Sequence, residues 1–198
     1  MKVLVCGSTG FVGRAVAAAL KARGHRVLGA SRSGPLRIDF MAPVGAPAWA
    51  ERLRELQVDA VVNCVGILMA RGAQSFERVH AAGPAELFEG AALAGIVRVV
   101  QVSALGADTG ESSYLRSKRT ADEALLALPL AGTVLRPSLL YGPGCPSTAL
   151  FATLAAAFCF YGSTGAIFTS SCNCIFPHHR KTMLPIRASC PFATAGAL

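Results

Sequence analysis

Acidic residues are scarce in this chain and they stop early. Of 198 residues 11 are Asp or Glu, against 19 Lys or Arg, and the last acid is Glu123. The resulting net charge of +8 raises the question of a nucleic-acid partner. No run of basic residues supports one. The denser stretches, 21–26 and 116–119, read as helix ends or solvated helix faces, so nucleic acid is excluded as the main partner. The surplus charge is better suited to drawing in a small anionic ligand. Charged residues make up only 15% of the chain and apolar ones 53%, which excludes a disordered polymer. A signal-peptide pattern is missing too: Met1-Lys2 leads straight into an apolar run. The expected compartment is the cytoplasm, where the seven cysteines stay reduced and no disulfide framework forms.

What is present is an alternation of short apolar runs with amphipathic stretches. The runs 2–6 (KVLVC), 26–31 (RVLGAS), 36–40, 59–65, 97–103 and 133–136 read as six strands. Segments 11–23, 48–56, 75–94 and 113–128 carry apolar residues at helical spacing. Gly83-Pro84 is expected to kink the third of these, and Pro129 to end the fourth. Strands alternating with helices predict an α/β domain of the Rossmann type, a doubly wound parallel sheet with helices on both faces. Ligands of such a sheet sit at the carboxyl ends of its strands.

Between the first strand and the first helix lies Gly7-Ser8-Thr9-Gly10-Phe11-Val12-Gly13. A glycine triplet alone is weak evidence, but here it follows a strand directly and opens a helix. Glycine permits the tight turn, the close approach of a pyrophosphate and the packing of helix on sheet. The exposed N–H groups and the helix dipole then favour negative charge. The expected ligand is a nicotinamide dinucleotide. An acid that would bind a ribose 2′-hydroxyl is lacking at the end of the second strand, which reads Gly29-Ala30-Ser31-Arg32-Ser33. Arg32 can pair with a 2′-phosphate and Ser31 can hydrogen-bond to it, so NADP(H) is expected over NAD(H). The alternative for Arg32 is a plain loop cation. Asp39 is placed either on the adenine side or in a solvated turn.

Tyr114 and Lys118 stand i, i+4 at the start of the fourth helix and so share a face. Ser103 ends the preceding strand. A nearby ammonium lowers the pKa of a phenol, which is otherwise about 10. Tyr114 is therefore expected to exchange a proton with a substrate oxygen while hydride passes to or from the nicotinamide. Ser103 is expected to hold that oxygen, and Lys118 to reach the nicotinamide ribose. Chance pairing of a surface tyrosine with a surface lysine is the alternative.

Four segments in order then carry a resemblance: GSTGFVG, Asn63-Cys64-Val65-Gly66, VSALGAD with YLRSK, and LRPSLLYGPG over 135–144. The chain resembles the extended or atypical short-chain dehydrogenases/reductases, of the NAD-dependent epimerase/dehydratase kind, over about residues 1–157. The wording of VSALGAD and YLRSK is most similar to the group that includes the nucleotide-binding accessory subunit of respiratory complex I. Several members of that group bind NADP(H) tightly without demonstrated turnover. The resemblance implies that Gly7, Ser8, Thr9, Gly10, Phe11, Val12 and Gly13 line the pyrophosphate. It implies that Cys64, Val65 and Gly66 lie beside the adenosine and ribose, and that Pro137, Ser138 and Leu139 border the nicotinamide. Ser103, Tyr114 and Lys118 fall on the catalytic positions. His80 departs from the asparagine common in extended members and receives no role. The implied function is an NAD(P)-dependent oxidoreductase or epimerase-like activity on a nucleotide-linked, sugar-like or lipid-like molecule. The alternatives are a non-catalytic NADP(H)-binding assembly or regulatory protein, and a truncated inactive product.

The dinucleotide domain is expected over 1–144, and 145–198 is read as a remnant of a substrate region. Residues 147–157 still read as its first helix. From about 158 acids are absent, no period is visible and Cys, Phe, Ser and Pro are frequent. A membrane helix over 149–168 is disfavoured because Gly162-Ser163-Thr164-Gly165 interrupts it. A metal site from Cys172, Cys174, His178, His179 and Cys190 is disfavoured because paired Cys-x₂₋₄-Cys spacing is missing, so no metal is expected. The expectation adopted is a coding accident, a frameshift or a truncated or misread gene end, which leaves 158–198 poorly ordered. A substrate and an oligomeric state do not follow from these residues.

Overall fold

The computed structural model describes residues 1–138, 140, 142 and 173–175. The strands are β1 (Lys2–Cys6), β2 (Arg26–Ser31), β3 (Leu36–Arg37), β4 (Ala60–Asn63), β5 (Arg98–Val102), β6 (Ala131–Arg136) and β7 (Asn173–Ile175). They form one sheet in the order β3-β2-β1-β4-β5-β6-β7. All pairings are parallel except the last, where β7 runs antiparallel to β6. The chain leaves β1 outward through β2 and β3, then crosses back to β4 on the other side. The carboxyl ends of β1 and β4 therefore flank the point where strand order reverses, which is where such sheets place their ligands.

Period-2 alternation along β1 divides the core. Leu4 and Cys6 face one side with Trp49 and Leu53 of α2 (Ala46–Glu55), Leu87 and Phe88 of α3 (Gly83–Leu93) and Leu125 of α4 (Ser113–Ala127). Val3 and Val5 face the other side, with Val16 and Leu20 of α1 (Phe11–Ala22) against them. The central strands β1 and β4 are buried on both faces, which explains why they read as continuous apolar runs.

Two elements differ from expectation. β3 stops at Arg37 rather than at residue 40, because Asp39 Oδ1 accepts the Met41 N–H at 3.0 Å and folds the chain into a side-chain-closed turn. Ile38 and Phe40 remain buried from that loop. The helix over 75–94 changes its winding just before Gly83-Pro84. Its residues Glu77–Ala82 widen into a π turn, and Gly83 keeps helical angles of φ −61° and ψ −48°. The wider turn accommodates Pro84, which has no N–H to offer an α ladder.

Leu139, the helix over 147–157, the span 149–168 and the Cys/His set near the end fall outside the described residues, apart from Cys174 in β7. Of the segment from 158 onward only β7 is described. Among the described residues no helix is long and apolar enough to cross a membrane.

Candidate functional site

The glycine turn is tied to its neighbouring strand. Ala30 O accepts the N–H groups of Gly7 at 2.8 Å and Ser8 at 3.1 Å. Gly7 takes φ +78°, a region closed to most side chains. A Cβ on Gly13 would stand 2.1 Å from Gly7 O, so only glycine lets α1 lie this close under the turn. The first intrahelical bond of α1 is Arg14 N–H to Gly10 O at 3.0 Å, which leaves the N–H groups of Phe11, Val12 and Gly13 ahead of the ladder. No side chain caps this end and no acid sits in its first turn. At α4, by contrast, Ser112 Oγ caps the helix through Leu115 N–H at 3.2 Å. α2 has no side-chain cap of its own, although Glu86 Oε2 accepts the Val44 and Gly45 N–H groups just ahead of it.

A cavity of about 190 Å³ opens beside the turn, walled by Gly7, Thr9, Gly10, Ser31, Arg32, Ser33, Asp39, Cys64, Val65, Gly66 and Gln74, with Ile38, Phe40, Ile67 and Val79. Ser31 is 6% exposed, and its Oγ has no partner among the described residues. Arg32 is exposed at the rim. Ser8 lines neither cavity: its N–H and its hydroxyl both go to Ala30 O. Gln74 joins this wall and no sequence signal singled it out.

A second cavity, about 800 Å³, adjoins the first and shares Gly10 and the loop Cys64, Val65, Gly66 and Ile67 with it. Phe11, Val12, Ser103, Tyr114, Lys118, Pro137 and Ser138 also line it. The structure thus brings together most of the expected residues along one edge of the sheet. The shared loop is held by Asn63, whose Oδ1 accepts Val65 N–H at 3.1 Å while its Nδ2 donates to Gln101 Oε1 at 2.7 Å. Burial pushes the Cys64 thiol up to about 12, which keeps it a neutral wall group.

The catalytic expectation needs two corrections in detail. Lys118 is 4% exposed, and its ammonium donates to Val102 O at 3.3 Å. Burial pulls its amine down to about 8, against the pull of Asp122 and Cys64. Burial also raises the Tyr114 phenol above its ordinary value, and Lys118 is not among the influences on it. The phenol hydroxyl has no hydrogen-bond partner among the described residues. The expected lowering of the phenol by the ammonium is therefore not seen: burial is the influence that acts on it. Ser103, 5% exposed, gives its hydroxyl proton to Asp122 Oδ2 at 2.8 Å. Only its lone pairs remain for another group.

Asp122 is the centre of this second arrangement, and the sequence reading missed it. It is fully buried and also accepts from Arg136 Nε at 3.0 Å. Burial raises its carboxyl, and Ser103, Arg136 and Lys118 oppose that rise. The signal was available: Tyr114, Lys118 and Asp122 follow at i, i+4 and i+8 on one face of α4. His80 was noticed and left without a role. It is fully buried, and burial together with Lys118 pulls its imidazole down to about 3.

The residues present fit a dinucleotide phosphate group. The uncapped α1 terminus, a glycine that admits no methyl group and the unpartnered Ser31 oxygen all face one continuous edge. Comparison with known proteins agrees. The family described as NAD dependent epimerase/dehydratase matches residues 3–159. A ceramide reductase of Caulobacter vibrioides is 31% identical over 163 residues, covering 78% of this chain and 51% of the relative. Subunit 9 of the NADH dehydrogenase [ubiquinone] 1 alpha subcomplex, mitochondrial, of Arabidopsis thaliana is 32% identical over 157 residues, covering 70% of this chain and 38% of that protein. The chain thus spans about half the length of the first of these, and less of the second. A dTDP-4-dehydrorhamnose reductase ortholog of Clostridium acetobutylicum shares the fold at a TM-score of 0.64 and 21% identity, over 79% of this chain and 60% of that one.

Proposed function

Because this chain belongs to the NAD dependent epimerase/dehydratase family, we propose that it binds a nicotinamide dinucleotide along the two joined cavities and serves as an NAD(P)-dependent oxidoreductase. The observation that carries this reading is the bare N-terminus of α1 above Gly7 and Gly13, with no capping side chain and no acid in its first turn, at the edge shared by both cavities. The adenosine half belongs in the smaller cavity and the nicotinamide half in the larger.

NADP(H) is favoured over NAD(H). No acid ends β2, Arg32 stands at the rim of the smaller cavity, and the buried Ser31 Oγ is unpartnered beside it. A 2′-phosphate would take both groups, and Asp39, whose Oδ1 is held by Met41 N–H, would stay on the adenine side. When bound, the nicotinamide supplies or accepts the hydride. Tyr114 holds or gives up a proton at its phenol oxygen, which faces the larger cavity. Lys118 offers ammonium hydrogens toward the ribose beside Gly66. Ser103 meets a substrate hydroxyl as an acceptor while Asp122 keeps its proton. The substrate is a small molecule with a hydroxyl or carbonyl group, of the nucleotide-linked, sugar-like or lipid-like classes.

A second reading, a dinucleotide-binding protein without turnover, has its own support. The phenol is raised rather than lowered, and the Ser103 proton is committed to Asp122. One experiment addresses both readings. Thermal melts of the wild-type protein and of Tyr114→Phe are recorded with NADPH and with NADH. Stabilisation by NADPH above that by NADH is expected in both proteins. Stronger stabilisation by NADH overturns the reading of Arg32. Reduction of a carbonyl substrate panel with NADPH should fall by about 100-fold or more in Tyr114→Phe if the protein turns over. No turnover by the wild type, with cofactor binding intact, favours the second reading.

A further inference from the structure

His80 was set aside by the sequence and lies outside the reaction outlined above, yet its contacts join two parts of the site. It sits in the middle of the π turn Glu77–Ala82 and is fully buried. A buried imidazole must satisfy both ring nitrogens. The Nε2 accepts the backbone N–H of Ile67 at 2.9 Å, which fixes the remaining proton on Nδ1. Nδ1 stands 3.2 Å from Ser117 Oγ and donates to it, and that hydroxyl donates onward to Tyr114 O at 2.8 Å. Phe76 stacks on the ring at 5.4 Å, and Tyr114 meets it edge-on at 5.3 Å. A Cβ on Gly66 would lie 3.3 Å from Lys118 Nζ and 3.6 Å from His80 Nε2, so loop, lysine and imidazole share one small volume.

We propose that His80 is a positioning residue, which fastens the loop Cys64–Ile67 facing both cavities to the first turns of α4 that carry Tyr114 and Lys118. The inference rests on the reading of those cavities as a dinucleotide site. The loop meets the cofactor from one side and Tyr114 with Lys118 meet it from the other. A single imidazole sets the spacing between them. The ring serves as acceptor toward the loop and donor toward the helix, and the neutral form alone has both capacities. No other described side chain bonds both segments.

The test uses the full chain and three variants, His80→Leu, His80→Gln and Ser117→Ala, each checked for folding by thermal melting. Two quantities are read: the Kd for NADPH from its fluorescence, and amide exchange at Ile67 in the cofactor-free protein. In His80→Leu the Kd is expected to rise about 10-fold, the loss of roughly one hydrogen bond, and Ile67 to exchange faster by a similar factor. His80→Gln, whose amide oxygen can accept the Ile67 N–H, is expected to recover both to within about 3-fold, which a purely space-filling role would not produce. Ser117→Ala keeps the ring and loosens its far end, so Ile67 should exchange measurably faster. It decides the matter if His80→Leu does not fold. Wild-type exchange at Ile67 in every folded variant overturns the proposal, as does a Gln variant no better than Leu. If the wild type binds neither NADPH nor NADH, the cofactor reading fails, and the exchange data still decide whether His80 holds the loop.

Discussion

The two ends of the ligand edge are built from different materials. Under β1 the groups that face the cavity belong to the backbone: N–H groups at the head of α1 and glycines that leave no room for a Cβ. Beyond β5 they are side chains, and most are already engaged. Ser103 is bonded to Asp122, Lys118 to Val102 O, and Asp122 to Arg136. The first end keeps its polar groups open and is sensitive to shape. The second keeps charge under the surface and is sensitive to the loss of any one partner. On the proposed reading the first end takes the charged ligand, whereas much of the second is spent on holding itself together.

Two substitutions test that contrast. The largest effect is expected from Asp122→Leu, which strips the Arg136 guanidinium and the Ser103 hydroxyl of their acceptor. The Arg136 side chain is only 13% exposed, so urea unfolding should show a loss of about 3 kcal/mol. The stabilisation by NADPH should survive in the fraction that folds. Gly13→Ala comes next. Its methyl would meet Gly7 O at 2.1 Å, so the turn must move, at a cost of about 2 kcal/mol in the same measurement. Here the NADPH-dependent rise in Tm should disappear. If Asp122→Leu abolished that rise while Gly13→Ala kept it, the contrast would be broken.

The smallest effect is one of pH and separates two anchors of the π-turn helix. Pairing with Arg78 holds the Glu86 carboxyl down at about 2, and burial holds the His80 imidazole at about 3. Both folded values lie below the unfolded ones, so the unfolded chain takes up protons first and stability falls with falling pH. For His80 the loss begins near pH 6.5 and runs toward 3. For Glu86 it begins near 4.5 and runs toward 2. Asp122, with a raised carboxyl, works in the opposite direction, so each limb is read as the difference between wild type and variant. His80→Gln should flatten the limb from 6.5 to 4.5, by about 1 kcal/mol per pH unit at most. Glu86→Gln should leave that limb alone and flatten the one below it. Urea midpoints from pH 7 to pH 3 measure both.

How much of this was legible in the residues depends on whether one segment or several decide the matter. β1 and β2 were readable to the residue, β1 because its apolar run is buried on both faces and Gly7 marks its end, β2 because its apolar run follows the helix stop at Gly24. The shared face of Tyr114 and Lys118 was readable from helical spacing. The direction of the Ser103 hydroxyl was not, since it depends on Asp122 and Arg136, which come from α4 and β6 and meet it only in the fold. The end of β3 was set by a side chain, Asp39, closing a turn that the apolar pattern of 36–40 concealed. Pro84 correctly announced a disturbance in its helix, but a kink and a widened turn are equally good ways to accommodate a missing N–H.

That widened turn has a consequence for how the chain can vary in length. A π turn carries one residue more than the α-helix around it. The wider turn spreads that extra residue over about the same rotation, so removing a single residue from 77–82 would restore regular winding and leave the segments on either side nearly in phase. Leu87 and Phe88 would keep their places in the core, and the local change would fall on the turn that carries His80 to the Ile67 loop. The surplus residue acts as slack taken up in one turn: the helix can gain or lose it at the ligand edge without re-aiming the part that packs in the core.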